Sequence, residues 1–145
     1  MGLPEGYQIV ELSNSHYEDA LKVLAQLTSV GDVSADQFNE FIALQGDGYI
    51  LRAIEDHNGR LVGIATLLVE RKLIHGASKV GHIEDVAVDA SQRGKGLGKV
   101  LISHLIEIAA SKGCYKVILD CSEENVGFYQ HCGMTRCGVE MEFRP

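Results

Sequence analysis

Between Gln92 and Lys99 the chain reads Gln-Arg-Gly-Lys-Gly-Leu-Gly-Lys, and no other stretch limits its fold as much. Ahead of it, Gly81–Asp89 has the residues of a strand; behind it, Val100–Ala110 reads as a buried helix. A glycine-rich turn between strand and helix removes side chains from a row of backbone N–H groups. It aims them, together with the positive end of the helix dipole, at an anion. Lys95 and Lys99 add charge, so the expected guest is a phosphate or pyrophosphate. Two common phosphate motifs do not fit. A Walker A loop wants glycine where Arg93 stands and a hydroxyl where Val100 stands. The dinucleotide fingerprint fails because Gly98 follows Gly94 and Gly96 one position early. The pattern that remains is R-x-x-G-x-G, Arg93 to Gly98.

Taken in order, Tyr7–Leu12 reads as a first strand. Ser13 or Asn14 can cap a helix over His16–Leu27, with Ala20, Leu24 and Leu27 at helical spacing. Ser34 begins a second helix, Ala35–Leu44. Tyr49–Glu55 and Leu61–Glu70 form a hairpin about the turn Asp56–Arg60. Arg71–Lys79 is a basic linker before the central strand. Gly113 stops the helix after the glycine loop, and Tyr115–Cys121, apolar on both faces, is expected as an interior strand. A short helix, Glu123–His131, precedes a last strand, Thr135–Arg144, in which Val139, Met141 and Phe143 alternate with charged residues. The order β-α-α-β-β-β-α-β-α-β, without repeats or linkers, gives one domain, 1–145, built on a mixed α/β sheet flanked by helices.

The net charge of −7 makes nucleic acid a poor electrostatic partner. No stretch approaches a membrane span, and the N-terminus lacks the basic-then-apolar pattern of a signal peptide. Met1-Gly2 opens like a myristoylation signal, but Gly6 stands where that signal requires Ser or Thr. Cys114, Cys121, Cys132 and Cys137 form no C-x-x-C pair or zinc spacing; reduced thiols, no metal and a cytoplasmic location are the expectation.

Four segments together carry a likeness: Glu70–His75 (ERKLIH), Gly81–Val86 (GHIEDV), Arg93–Lys99, and Gly113–Lys116 through Asp120-Cys121 to Asn125–Tyr129 (NVGFY). With them the chain resembles the glucosamine 6-phosphate N-acetyltransferases of the GNAT superfamily, over nearly its whole length. The resemblance implies the acyl-CoA N-acyltransferase fold, whose central sheet is mixed and mostly antiparallel. It implies acetyl transfer from acetyl-CoA to glucosamine 6-phosphate by direct attack in a ternary complex. The product, N-acetylglucosamine 6-phosphate, leads to UDP-N-acetylglucosamine. It also implies a homodimer paired through the C-terminal strands.

An amine attacking a thioester needs a neutral nucleophile, a stabilised oxyanion and an acid for the departing thiolate. The resemblance gives Asp120 the task of taking or orienting the amine's proton, and Tyr129 that of donating to the thiolate. The plainer alternatives are a helix-capping Asp and an amphipathic core Tyr beside Phe128. It carries the coenzyme on Val86, Ala87 and Val88, on Arg93, Gly94, Lys95, Gly96, Leu97, Gly98 and Lys99, and on Asn125, Tyr129, Gln130 and His131. For the acceptor it implies Thr28, Lys72, Leu73, Ile74, His75, Glu84, Asp85, Val86, Tyr115, Lys116 and Asp120, with Arg144 arriving from the second subunit. Glu84 and Asp85, being adjacent in a strand, should point to opposite faces. For each basic residue singly, solvated surface charge is the plainer reading. From the residues themselves His16, His57, His82, His104 and His131 suggest surface or packing roles. Open beside the sugar phosphate are a peptide or polyamine acceptor, a non-catalytic acetyl-CoA sensor and, weakly, a nucleotide-binding module.

Overall fold

The computed structural model describes residues 2–145; Met1, part of the N-terminal pattern above, lies outside the described residues. Five strands form one sheet in the order β1-β2-β3-β4-β5: Gln8–Glu11, Tyr49–Glu55, Leu61–Arg71, Lys79–Val88 and Cys114–Ile118. The first four pair antiparallel, and β4–β5 is parallel, as strands joined through a crossover helix must be. That helix is α4, Leu97–Ser111.

The sheet is covered on both faces, which explains the near-continuous apolar run of β3. On one face α4 buries Leu97, Leu101, Ile102, Leu105 and Ala109 against Ile50, Ile54, Leu67 and Ile83. On the other, α1 (Tyr17–Leu24) and α2 (Ala35–Ile42) set Ala20, Val23 and Phe38 against Leu51, Ala53 and Ile64. Each of the Val, Leu, Ile and Phe side chains contributes about 1.5–3 kcal/mol on leaving water, and the alanines less. The adjacent pairs Ile50/Leu51 and Ala53/Ile54 thus split between two cores, as the period of two requires.

Several expectations need correction. A short 3-10 turn, Asn14–His16, precedes α1, which stops at Leu24; Gln26 and Leu27 close a tighter turn on Val23 and Leu24. His16 is buried, its Nε2 2.8 Å from Glu55 Oε2. The basic linker contains a one-turn helix, Ile74–Ala77 (α3), with His75 and Gly76 in left-handed conformations. β5 ends at Ile118 and lies at the sheet's edge, with Tyr115 and Ile118 exposed, so it is not an interior strand. Among the described residues no strand forms over Thr135–Arg144; Val139, Met141 and Phe143 stand 88%, 88% and 87% exposed. The alternating pattern is there, but among the described residues the segment pairs with neither edge of its own sheet. No helix among the described residues is long and apolar enough to cross a membrane.

Candidate active site

β4 and β5 part company near the middle of β4, where β5 ends. Their parallel pairing ends at His82↔Ile118, while β4 runs on to Val88, still bonded to β3 on its other side. From Ile83 onward, therefore, one edge of β4 faces a gap. Just past the split, Ile64 pairs with Ala87 but Thr66 pairs with Glu84, which leaves Asp85 and Val86 across from Ala65. This is a β-bulge, and Asp85 holds its left-handed kink at φ 51. The bulge breaks the strict alternation from which opposite faces for Glu84 and Asp85 were expected; both residues are exposed.

A cleft of about 510 Å³ opens along the gap, lined by Val86, Ala87 and Val88 on one wall and Asn125, Phe128 and Tyr129 on the other. Its far end is the glycine loop, with Arg93, Gly94, Gly96, Leu97, Gly98 and Lys99 in the lining. The helix begins at Leu97, three residues before the sequence reading started it, with Gly96 as N-cap in the left-handed region at φ 74. The first helical bond on this turn runs from Val100 N to Gly96 O, so the N–H groups of Leu97, Gly98 and Lys99 are free to meet a guest. A Cβ placed on Gly94 or Gly96 would meet no atom within 4 Å: the space beside these backbones is open. Gly98 differs, since its Cβ would come 3.0 Å from Phe128 Cζ. The loop is therefore an open backbone cradle whose free N–H groups suit an anion.

Beyond the split lie the reactive candidates. Asp120 follows the end of β5 and is exposed; Ser122, not Asp120, takes the N-cap of the next turn, which removes the capping alternative. Tyr129, on α5 (Val126–His131), is half-buried with its ring edge-on to Phe128 at 4.9 Å. Burial, and then Cys121 and Cys132 nearby, raise its pKa above the ordinary phenol value, so it stays protonated as a donor. The Glu84 carboxyl is also raised, first by burial on its sheet side and then by the charges of Asp85 and Asp120. Glu84 thus feels the charges of both other carboxylates, just past the last pair of β4 and β5.

The structure brings together part of the expected acceptor set. The His75 ring lies 4.3 Å from Tyr115, and Lys116 Nζ is 5.6 Å from the centroid of Tyr115. Lys72 is tied to Glu70 at 3.2 Å. Leu73 is 95% exposed and Ile74 projects beside it. Thr28 N donates to Leu24 O at 3.1 Å just past α1, next to Leu27, which lines the cleft. Among the described residues Arg144 meets only Glu142 of its own tail. Lys95, Gln130 and His131 stand outside the cleft lining; His131 Nδ1 instead meets the Gly127 carbonyl at 2.7 Å. Sequence reasoning missed Gln26, Leu27, Gln92 and Phe128 in the lining. Gln92 was within reach, being the first residue of the glycine stretch; Gln26 is brought in only by the fold, where its Oε1 accepts from Ala90 N at 2.8 Å.

A parallel pair that parts beside a β3–β4 bulge leaves a free strand edge leading to a glycine cradle at a helix start. The sequence model of the Acetyltransferase (GNAT) family matches residues 10–134, and the chain belongs to that family. Among curated relatives, glucosamine 6-phosphate N-acetyltransferase of Candida albicans is 44% identical over 148 residues, covering 99% of each chain. The enzyme of that name from Arabidopsis thaliana is 41% identical over 125 residues, covering 83% of this chain and 84% of the relative. The crystal structure of glucosamine-6-phosphate N-acetyltransferase from Arabidopsis thaliana superposes with a TM-score of 0.88 at 37% identity, covering 95% of this chain and 97% of that one. An acetyltransferase structure from Trypanosoma brucei gives 0.89 at 38% identity, covering 96% and 99%.

Proposed function

We propose that the chain, acting as one acetyltransferase domain, moves the acetyl group of acetyl-CoA to the amine of glucosamine 6-phosphate by direct attack in a ternary complex. The product, N-acetylglucosamine 6-phosphate, supplies UDP-N-acetylglucosamine synthesis. The observation that carries this reading is the split between β4 and β5, with the free edge Val86–Val88 and the glycine cradle on one side and Asp120 with the His75–Tyr115–Lys116 cluster on the other. The names of the relatives support the acceptor.

Acetyl-CoA, when bound, supplies an activated acyl group on a thiolate leaving group. In this reading the edge of Val86–Val88 pairs with the pantetheine arm as an added strand would, and its amides polarise the thioester carbonyl. Gly94, Gly96, Leu97, Gly98 and Lys99 hold the pyrophosphate by backbone N–H groups, with Arg93 adding charge. Asn125 faces the same cleft. Asp120 takes or orients the proton of the attacking amine, and Tyr129 donates to the sulfur. Glu84 and Asp85 flank the sugar. Thr28, Lys72, Leu73, Ile74, His75, Tyr115 and Lys116 hold it and its phosphate, and Arg144 of the partner subunit completes the anion site in a homodimer. The enzyme is placed in the cytoplasm, without nucleic-acid or membrane partners.

The test is thiol release from acetyl-CoA with glucosamine 6-phosphate, glucosamine and a lysine peptide offered in parallel, against a blank without acceptor. Turnover much faster with glucosamine 6-phosphate than with glucosamine or the peptide is expected. A faster peptide reaction would move the acceptor to the protein class, and binding without turnover would make the chain a sensor.

A further inference from the structure

Lys95 sits at the tip of the glycine loop yet does not line the cleft. Its ammonium turns the other way. Nζ donates to Gln92 Oε1 at 2.9 Å and to the Tyr7 hydroxyl oxygen at 3.0 Å, and lies 5.4 Å from the centroid of the Tyr7 ring. Tyr7 closes the triangle by donating its own hydroxyl proton to Gln92 Oε1 at 2.7 Å. We propose that Tyr7 is a positioning residue: it holds Lys95 and Gln92, and through them the tip of the loop, in the shape that receives a pyrophosphate. This rests on the reading of the loop as the coenzyme cradle.

Three observations argue for it. First, the loop needs a restraint. Gly94 and Gly96 adopt φ of 84 and 74, a region glycine enters freely, and glycine has the most backbone freedom to lose when a loop is fixed. Between Arg93 N, bonded to Ala90 O, and Gly96 O, bonded to Val100 N, the side chain of Lys95 supplies the hydrogen bonds that tie the tip down among the described residues. Second, the anchor is rigid. Tyr7 packs against the main core immediately before β1, 88 residues away in sequence from Lys95. Third, the triangle contains no carboxylate. Two neutral oxygens hold the ammonium in place without cancelling its charge, so its field still acts on the cradle. A loop already in its bound shape binds more tightly because less freedom is lost on association.

Tyr7→Phe removes one hydroxyl and keeps the ring in the core. Two measurements decide: backbone amide order parameters over Gly94–Lys99 in the protein alone, and the acetyl-CoA Kd by calorimetry. Lower order parameters confined to that loop are expected, with Kd raised about three- to tenfold and both kcat at saturating acetyl-CoA and Tm unaltered. Unchanged loop order would overturn the proposal, and so would a loss of order spread over the whole chain with a lowered Tm. If the unmodified protein fails to bind acetyl-CoA, the coenzyme reading falls, while loop order in Tyr7→Phe still decides whether the tether exists.

Discussion

Three carboxylates, Glu84, Asp85 and Asp120, gather where the strands part, and an amine acceptor arrives there as a cation. Glu84 shows the cost of that gathering. Burial and its two acidic neighbours raise its pKa, so in the folded protein it keeps its proton to higher pH than in the unfolded chain. Between the two values the folded state binds more protons, and stability falls as pH rises through the window above pH 4.5. Glu84→Gln should therefore stabilise the protein more at pH 7 than at pH 4, read as the Tm difference from the parent at each pH. An equal difference at both would remove the electrostatic account. Asp120 carries the chemistry in this reading: Asp120→Asn should lower kcat by about 10²–10⁴-fold while leaving the acetyl-CoA Kd unchanged. Unchanged turnover would take it out of the mechanism. The type of each of these residues was readable from the sequence. That Glu84 and Asp85 escape the opposite-face rule was not, because a bulge leaves no mark in a strand's composition.

Among the elements, α4 and the loop before it do most to shape the site. The hairpin strand Tyr49–Glu55 matches the sequence reading residue for residue, since its alternation and the turn after it are local signals. The start of α4 was placed at Val100 because Leu97-Gly98-Lys99 looks like loop; the fold makes it the first helical turn, capped by a glycine at positive φ. Gly96→Val tests that cap. A β-branched residue at φ 74 costs about 1–3 kcal/mol, and its side chain would enter the space left open beside the backbone. The expected result is a lower Tm together with at least tenfold weaker acetyl-CoA binding. Unaltered affinity would contradict the cradle. The same helix carries a pH liability. His104 Nε2 is buried without a hydrogen-bond partner among the described residues, and burial, then the charge of Arg52, lower its pKa. Below about pH 6.5 the unfolded chain takes up a proton that the folded one resists, so stability falls as pH drops. His104→Leu should flatten that decline between pH 7.5 and 5 in Tm measurements; an unchanged slope would clear His104.

At the scale of the whole molecule, the tail and the edge of the sheet pose one question. Residues Thr135–Arg144 alternate as a strand with one apolar face must, yet the single chain leaves Val139, Met141 and Phe143 in solvent. β5 likewise keeps Tyr115 and Ile118 exposed at an open edge. A pattern in sequence states that a strand wants a partner; it does not state whether the partner is in the same chain, and this is why the last strand was legible as a pattern and misplaced as an element. If a second copy supplies the partner, the apolar triplet is the dimer contact and Arg144 belongs to the neighbouring site. Two variants separate these parts. Deleting 138–145 should give a monomer in sedimentation velocity and raise the KM for glucosamine 6-phosphate. Arg144→Ala should leave the dimer intact and raise that KM about tenfold, while glucosamine, lacking the phosphate, is turned over as before. A deletion that leaves the sedimentation coefficient of the dimer unchanged would put the interface elsewhere. Equal losses for both sugars in Arg144→Ala would show that the arginine shapes the tail and does not hold the phosphate.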